Sequence, residues 1–184
     1  MPHALSLHPD FQCEAVTRIA VDVVRPHPGA LVLSYVATGA IADLYLATPS
    51  APERTDELWR RTCFEAFVRP APGEAYFEFN FAPSRQWAAY RFDAYRAGMS
   101  ALDGIATPII EPRASADRFE LHVTLDLGGW PELAGDGAWR LALSAVIEEA
   151  GGRKSYWALT HPPGKADFHH ADGFALELSR PERP

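Results

Sequence analysis

Hydrophobic and polar positions alternate along most of the chain, which is the pattern of half-buried β-strands. The run YFEFNF at 76–81 places three phenylalanines on one face and Tyr76, Glu78 and Asn80 on the other. The run RFELHVTL at 118–125 alternates in the same way. These runs predict strands that each bury one face in a hydrophobic core.

Sixteen prolines and thirteen glycines fall mostly in clusters between short apolar runs, which favours many short strands over long helices. The segment 84–99 is rich in alanine, and its pattern fits either a strand or a helix. Outside this segment, the apolar and alternating runs predict nine strands, including the two described above: Ile19–Val24, Leu31–Val36, Ile41–Ala47, Cys63–Val68, Tyr76–Phe81, Arg118–Leu125, Trp139–Ile147, Ser155–Leu159 and Phe174–Leu178.

About nine or more strands of this kind predict an all-β fold, a single antiparallel β-sandwich. One domain is expected over residues 1–184, with its core at about residues 14–179. The final residues, SRPERP, are expected to fray. The pattern shows no internal repeat and no second domain.

The charge of the chain limits its partners. It carries 17 Lys and Arg against 24 Asp and Glu, a formal charge of −7, so no basic field attracts nucleic acid or an anionic membrane. Cys13 and Cys63 are expected to be reduced thiols. No secretory leader is recognisable, and no apolar run approaches the roughly 18 to 20 residues of a membrane span. These features predict a soluble cytoplasmic protein.

Glu65 raises the functional question, because a carboxylate is disfavoured in the middle of a strand. If the three central runs are neighbouring strands, one sheet face gathers six side chains, namely Cys63, Glu65, Glu78, Asn80, Trp87 and Arg91. Tyr90 is then expected on the opposite, apolar face, toward the core. Carboxylates, an amide, a guanidinium and an indole suit a polyol such as a sugar. The alternative is that Arg91 only neutralises a glutamate on a solvated face, as an exposed ion pair of about 0 to 1 kcal/mol.

Other chemistries have weaker signals. The segment KADFHHADGF contains Asp167, His169, His170 and Asp172, but its spacing matches no metal signature, so a polar loop is favoured and no metal or cofactor is predicted. Motifs for serine hydrolases and for phosphate or dinucleotide binding are missing from the sequence. A retaining glycosidase is left as an option, because Glu65 and Glu78 on paired strands would lie near the required separation of about 5 Å.

Three blocks of sequence resemble a known family: ELWRRTCFEAFV, YFEFNFAPSRQWAAYRFDAYRAGM and WALTHPPGKADFHHADGFALEL. They are similar to the bacterial DOMON-like proteins related to family 9 carbohydrate-binding modules, in particular the subfamily sometimes attached to the peptidoglycan-precursor reductase MurB. The similarity runs from about Leu31 to Leu178. It implies a jelly-roll or immunoglobulin-like β-sandwich with a strand at Gln86–Asp93. It also implies a non-catalytic domain that binds a small carbohydrate or a sugar-containing metabolite.

The resemblance also implies individual site residues. In family 9 modules a tryptophan before a strand forms one wall of a sugar slot, and a glutamate six residues later hydrogen-bonds the sugar; Trp59 and Glu65 match this spacing. The second stacking aromatic of the family has no obvious equivalent in this sequence. The expected ligand-binding residues are Trp59, Glu65, Glu78, Asn80, Trp87, Arg91, Trp157, Phe168 and His169.

Two other functions stay open at this point. The wider DOMON group includes haem-binding members with an axial methionine and a histidine or lysine, and here Met99 could pair with His161, His169 or His170. The chain could also be a protein-interaction domain that docks to an enzyme of cell-wall precursor synthesis.

Overall fold

The computed structural model describes residues 1–179 and has a nearly all-β architecture. Apart from the short helix α1 (Pro131–Ala134), the helical elements are 3₁₀ turns at Ile41–Asp43, Leu58–Arg60 and Ala171–Gly173. The strands are β1 (His3–Leu7), β2 (Val16–Val24), β3 (Ala30–Gly39), β4 (Cys63–Pro70), β5 (Tyr76–Phe81), β6 (Trp87–Phe92), β7 (Ser100–Ala101), β8 (Ile109–Ala114), β9 (Arg118–Asp126), β10 (Trp139–Glu148), β11 (Lys154–Ala158) and β12 (Leu176–Leu178).

All named strand pairs are antiparallel, which confirms the predicted all-β sandwich. The strands form one curled sheet in the order β7-β6-β5-β4-β10-β11-β1-β2-β3-β9-β8, and β12 pairs with β10. Strand β1 links the two layers because it pairs with β11 on one side and β2 on the other.

The hydrophobic core lies between the two layers. Phe64 of β4 stacks on Phe119 of β9 with ring centroids 5.7 Å apart, and its ring also lies 5.2 Å from that of Tyr35 on β3. The Tyr35 hydroxyl donates a 2.8 Å hydrogen bond to the backbone carbonyl of Glu65. This bond fixes the strand that carries Glu65 to the opposite layer.

Strands β4 and β5 are buried on both faces. Every residue of β5 and the first six residues of β4 are buried. One face packs into the core, and the other is covered by Phe92 and by Phe174, which pack on Phe67 and Tyr76. The outer face of these strands is therefore not the solvated sheet surface that the alternative interpretation required.

One predicted strand, Ile41–Ala47, is wrong. The chain forms a 3₁₀ turn at Ile41–Asp43, and Leu44 makes only an isolated bridge to Glu149. Glu149 lies just past the end of β10, and β4 and β11 already occupy the two edges of β10, so this bridge has no free edge along which to extend.

The sequence analysis missed three strands, β1, β7 and β8. Strand β8 contains Pro112, which a sheet tolerates here because β8 is an edge strand that pairs only with β9. The ambiguous segment 84–99 contains strand β6, as the family resemblance implied. The structure gives Cys13 and Cys63 as free thiols.

Within residues 1–179, no helix is both long and apolar enough to cross a membrane. Apart from Ser179, the tail that was expected to fray lies outside the described residues.

Replacing Tyr35 with phenylalanine should lower the free energy of unfolding by about 1 kcal/mol or more, because the buried Glu65 carbonyl loses a hydrogen-bond donor from the other layer. Urea unfolding of the parent and the variant measures this difference. Tyr45→Phe is the control, since Tyr45 is 42% exposed. Equal losses in the two variants would show that the Tyr35 bond does not hold the layers together.

Candidate functional site

A cavity of about 750 Å³ lies over the outer face of β4, β5 and β6. The carboxyl groups of Glu65 and Glu78 line its floor. Its walls are largely aromatic, formed by Trp59, Tyr90, Phe92, Tyr156 and Phe168. The cavity therefore combines flat apolar surfaces with two buried acidic groups.

Trp59 is held at the cavity by the 3₁₀ turn Leu58–Arg60. Leu58 is buried and anchors this turn, whereas Trp59 is 48% exposed. The Arg60 guanidinium lies 5.5 Å from the centre of the Trp59 ring. An indole with this exposure beside a cavity has a face available to a ligand.

Glu65 lies in the middle of β4 and is only 3% exposed. The hydroxyl of Ser144, directly opposite on β10, donates to Glu65 Oε2 over 3.3 Å. Burial, reinforced by the charge of Glu78, raises the pKa of the Glu65 carboxyl well above its usual value. No described residue forms an ion pair with Glu65.

Glu78 lies on β5 and is 6% exposed. The Asn80 amide donates a 2.8 Å hydrogen bond to Glu78 Oε1, and His169 Nε2 lies 3.7 Å from Oε2. Burial raises the pKa of Glu78, although the Asn80 bond and the positive charge of Arg96 act in the opposite direction. Both floor carboxyls therefore hold protons more tightly than free glutamate does.

His169 is neutral at neutral pH. Burial, with a smaller effect from the Arg96 charge, lowers its pKa to about 4. The Tyr76 hydroxyl accepts a bond from the Arg96 backbone N–H and lies 2.8 Å from His169 Nδ1, so its own proton is available to Nδ1. The ring proton then sits on Nε2, which faces Glu78. At 3.7 Å, Nε2 is too far from the Glu78 carboxyl for a hydrogen bond, and the neutral ring does not neutralise that carboxyl.

A cluster of polar contacts holds the segment that covers the cavity. Asp167 accepts a 2.7 Å ion-pair contact from Arg96 Nη2 and also accepts hydrogen bonds from the Tyr95 hydroxyl and the His169 backbone N–H. These contacts tie the chain after β6 to the chain before β12. They position Phe168 and His169 over the floor of the cavity.

Five of the nine residues expected at the site line this cavity: Trp59, Glu65, Glu78, Phe168 and His169. Asn80 is fully buried beside Glu78, and its Oδ1 has no hydrogen-bond partner within the described chain. Glu65, Glu78 and Asn80 do share one face of β4 and β5, as expected from alternation, and the burial of that face is a finding of the structure.

The expected placement of Trp87 and Arg91 on this face is wrong. The register of β5 with β6 pairs Glu78 with Tyr90, so the odd-numbered residues of β6 point to the other side of the sheet. Trp87 is a core residue, 6% exposed. Arg91 binds Glu132 of α1 at 3.0 Å and also contacts Asp93.

Trp157 does not line the cavity either. It belongs to the core between the layers, where it is 5% exposed and its indole N–H donates a 3.0 Å bond to the Ser155 hydroxyl. Alternation on β11 places it on the core face, and Tyr156, its neighbour on that strand, lines the cavity instead.

Sequence reasoning missed several residues of the cavity. Tyr90 was assigned to the apolar face, but its hydroxyl donates a 2.6 Å bond to Asp56 in the loop before Trp59. A tyrosine at a strand position is a usable signal, because a phenol has an apolar body and a polar tip. Asp56, Arg96 and Tyr156 had no local signal, since only the tertiary fold brings them together.

Only some of the residues expected for haem binding lie at the cavity. Met99, 64% exposed, and His169 both line the cavity. His161 lies elsewhere, with Nε2 2.8 Å from the Ser6 carbonyl. The haem hypothesis stays a prediction that rests on Met99 and His169.

The weak metal candidates have other roles. His170 Nδ1 accepts the Asp172 backbone N–H and so caps the 3₁₀ turn Ala171–Gly173. His169 bonds to Tyr76. Among residues 1–179, no three or more His, Cys, Asp or Glu side chains are grouped so that they could hold a metal ion.

The glycosidase option placed Glu65 and Glu78 opposite each other on paired strands. The observed register does not. Glu65 pairs with Asn80, and Glu78 pairs with Phe67. The two carboxyl-bearing residues are therefore diagonal neighbours, whose Cα atoms are typically about 7 to 8 Å apart.

The fold and the cavity together define a β-sandwich domain with an aromatic-walled, acidic-floored pocket on one layer. No protein-family model matches the chain, and no curated protein matches it, so the DOMON-like resemblance stays a prediction. A proposed carbohydrate-binding protein from Bacteroides uniformis ATCC 8492 superposes with a TM-score of 0.67 at 10% identity, over 94% of this chain and 82% of that one.

Family 9 carbohydrate-binding modules from Caldicellulosiruptor kristjanssonii have also been solved in complex with glucose and with cellotriose. They give TM-scores of 0.45 and 0.48 at 10% identity, over 80% and 88% of this chain and 69% and 75% of theirs. At this identity the likeness to the Bacteroides protein shows a shared fold, and the two lower scores add nothing to it.

Replacing Glu65 with glutamine should stabilise the protein at neutral and alkaline pH. The folded pKa of Glu65 is raised above the usual 4.5, so its contribution to stability is fully present below pH 4.5 and is lost as pH rises through the folded pKa. Glutamine does not ionise, so we expect a gain of about 1 kcal/mol or more at a pH of about 8, shrinking toward pH 4.5. Urea unfolding across this range measures it.

The matched control is Glu111→Gln, which changes an exposed glutamate of β8 on the other layer. It should leave the pH dependence of unfolding unchanged. A Glu65→Gln curve parallel to that of the parent would contradict the raised pKa.

Proposed function

We propose that this protein is a non-catalytic binding domain for a small sugar or a sugar-containing metabolite. The observation that carries the proposal is the exposed Trp59 indole beside a 750 Å³ cavity whose floor presents Glu65 and Glu78. The C–H face of a pyranose would stack on the indole. Its hydroxyl groups would donate to the floor carboxyl oxygens.

The size and lining of the cavity support a small ligand. A volume of about 750 Å³ falls within the roughly 300 to 1,000 Å³ range of small-molecule sites. Phe168 offers a second aromatic surface, and His169, with its proton on Nε2, offers a donor to a ligand oxygen. The Bacteroides protein of the same fold is itself proposed to bind carbohydrate, which adds support without assigning a ligand to this chain.

Glycoside hydrolysis would place a stricter demand on the two floor carboxyls than binding does. A glycosidase needs one carboxyl that holds its proton and a second that is ionised, so the environments of the pair must push their pKa values apart. Here burial raises the pKa of both Glu65 and Glu78.

Trp59→Ala should weaken sugar binding at least about fivefold, because it removes a stacking surface worth about 1 kcal/mol, and should leave the fold intact. Glu65→Gln should also weaken binding, because the amide cannot replace a carboxylate that accepts at both oxygens. Titration calorimetry measures both, after a thermal-shift screen of mono- and disaccharides, amino sugars and nucleotide sugars at up to tens of millimolar. Tyr45→Ala is the matched control, since Tyr45 is similarly exposed and lies outside the cavity.

Normal sugar binding by both variants would place the sugar site elsewhere. If only haemin gave a response, and Met99→Leu abolished it, haem would replace a sugar as the proposed ligand. No response to any small molecule would favour a protein partner, such as an enzyme of cell-wall precursor synthesis.

A further inference from the structure

The charges around the cavity are unbalanced. Four carboxyl groups line it, those of Asp56, Glu57, Glu65 and Glu78, and among them Glu57 forms a 2.8 Å ion pair with Arg60 at the rim. The single guanidinium in the lining belongs to Arg96, which is bound to Asp167 at 2.7 Å. Within residues 1–179, no lysine lines this cavity and no other arginine does.

The floor carboxyls have neutral partners. Glu65, more than nine-tenths buried, receives only the Ser144 hydroxyl at 3.3 Å, and Glu78 receives the Asn80 amide and faces His169. His169 is neutral above a pH of about 4. The fully buried Asn80 Oδ1 has no partner in the described structure and adds another acceptor next to this floor. These groups offer acceptors and negative charge. Within residues 1–179 no lysine or arginine forms an ion pair with either carboxyl, although the charge of Arg96 acts on Glu78 from a greater distance.

The aromatic lining is also suited to a cation. The rings of Trp59, Tyr90, Phe92, Tyr156 and Phe168 all contribute to the cavity. Aromatic faces attract ammonium groups through the ring quadrupole, and the attraction is stronger in a site shielded from water. A ligand with a positive charge would meet favourable surfaces on the walls as well as on the floor.

We propose that the ligand of this cavity carries a protonated amino group that binds at the Glu65 and Glu78 carboxyls, as an amino sugar without an N-acetyl group would. The sugar part of this inference rests on the proposed function, whereas the cation part rests on the unbalanced carboxyls. The ligand ammonium supplies the charge that the protein lacks at this place. N-acetylation would remove that charge and leave the carboxyls uncompensated.

Binding of an ammonium group should release protons from the floor. Burial raises the pKa of both carboxyls in the free protein, and a bound cation favours their ionised forms. The other titratable groups around Glu65 are the buried Cys63 and Tyr35, and those around Glu78 are Tyr76, Tyr90, Arg96 and His169.

The test compares matched neutral and cationic sugars on the intact protein by titration calorimetry at a pH of about 7. Glucosamine, galactosamine and mannosamine are each paired with the parent hexose and with the N-acetyl derivative. At least one amine should bind about tenfold or more tightly than its two partners, because hydrogen bonds between charged groups are about twice as strong as neutral ones. Repetition in buffers of different ionisation enthalpy should show proton release.

Glu65→Gln should reduce the preference for the amine, and Glu111→Gln on the other layer should retain it. If Glu65→Gln does not fold, Glu78→Gln and the comparison of sugars on the parent protein still decide the question. Equal or tighter binding of the neutral sugars would overturn the cation inference and leave the proposed sugar function standing.

Methylammonium and tetramethylammonium separate the two proposals further. Binding of these probes, lost in Glu65→Gln, without binding of any sugar would support the cation inference and refute the sugar function. Binding of neither the sugars nor the ammonium probes would overturn both.

Discussion

The architecture of the site depends on one constraint, the burial of both faces of β4 and β5. A sheet normally hides one face in a core and leaves the other to water. Here the inner faces pack Phe64 and Phe79 against the second layer. The outer faces lie beneath aromatic side chains and two covering segments, which are the chain after β6 and the chain before β12. Any polar group on the outer face is therefore removed from bulk water but faces a cavity. This position makes ordinary glutamates unusual in their proton affinity.

The covering segments are held in place mainly by polar contacts. Asp167 joins Arg96 and Tyr95, and Tyr76 joins His169 to the Arg96 backbone. Three of these bonds connect parts of the chain that are about seventy to ninety residues apart, so the cavity depends on the assembled tertiary fold. The ring of Tyr76 also stacks on Phe92 at 4.8 Å, which couples the polar network to the apolar cover.

The sequence was sufficient for the fold class and for the polar residues that share a face of β4 and β5, because strict alternation determines which residues share a face. The burial of that face depends on segments that pack over it and had no local signal. It failed at β6, where a register that is set by the turn after β5 decides whether Tyr90 or Arg91 joins the site. Arg85 in this turn has a left-handed backbone conformation with φ of 73°, which local alternation does not reveal. A shift of one residue exchanges the two faces. Trp87 and Arg91 were therefore expected at the site, and Tyr90 was expected in the core.

Glu65 was found from its position in the middle of a strand, and Trp59 was found through the family resemblance; the structure does bring them to one cavity. Asp56, Arg96 and Tyr156 come from loops or from a distant strand, so their proximity is a property of the tertiary fold alone. The Ile41–Ala47 error has a similar origin. The alternation there is compatible with a strand, but a strand forms only where a neighbour has an unpaired edge, and β4 and β11 occupy both edges of β10, the strand whose end this segment meets.

The two buried carboxyl groups on the floor of the cavity lower the stability of the domain but suit the binding of a ligand. Buried carboxyls without a cationic partner favour unfolding when they ionise, and an apolar pair at these positions would pack into the sheet without that cost. The neighbouring groups moderate this cost without removing it, because Ser144 and Asn80 donate single hydrogen bonds and His169 stays neutral. Departures from local rules of this kind are expected at functional sites, where a ligand supplies the interactions that the protein leaves open. The same carboxyls that weaken the unliganded domain thus provide the free energy by which a complementary ligand would be held.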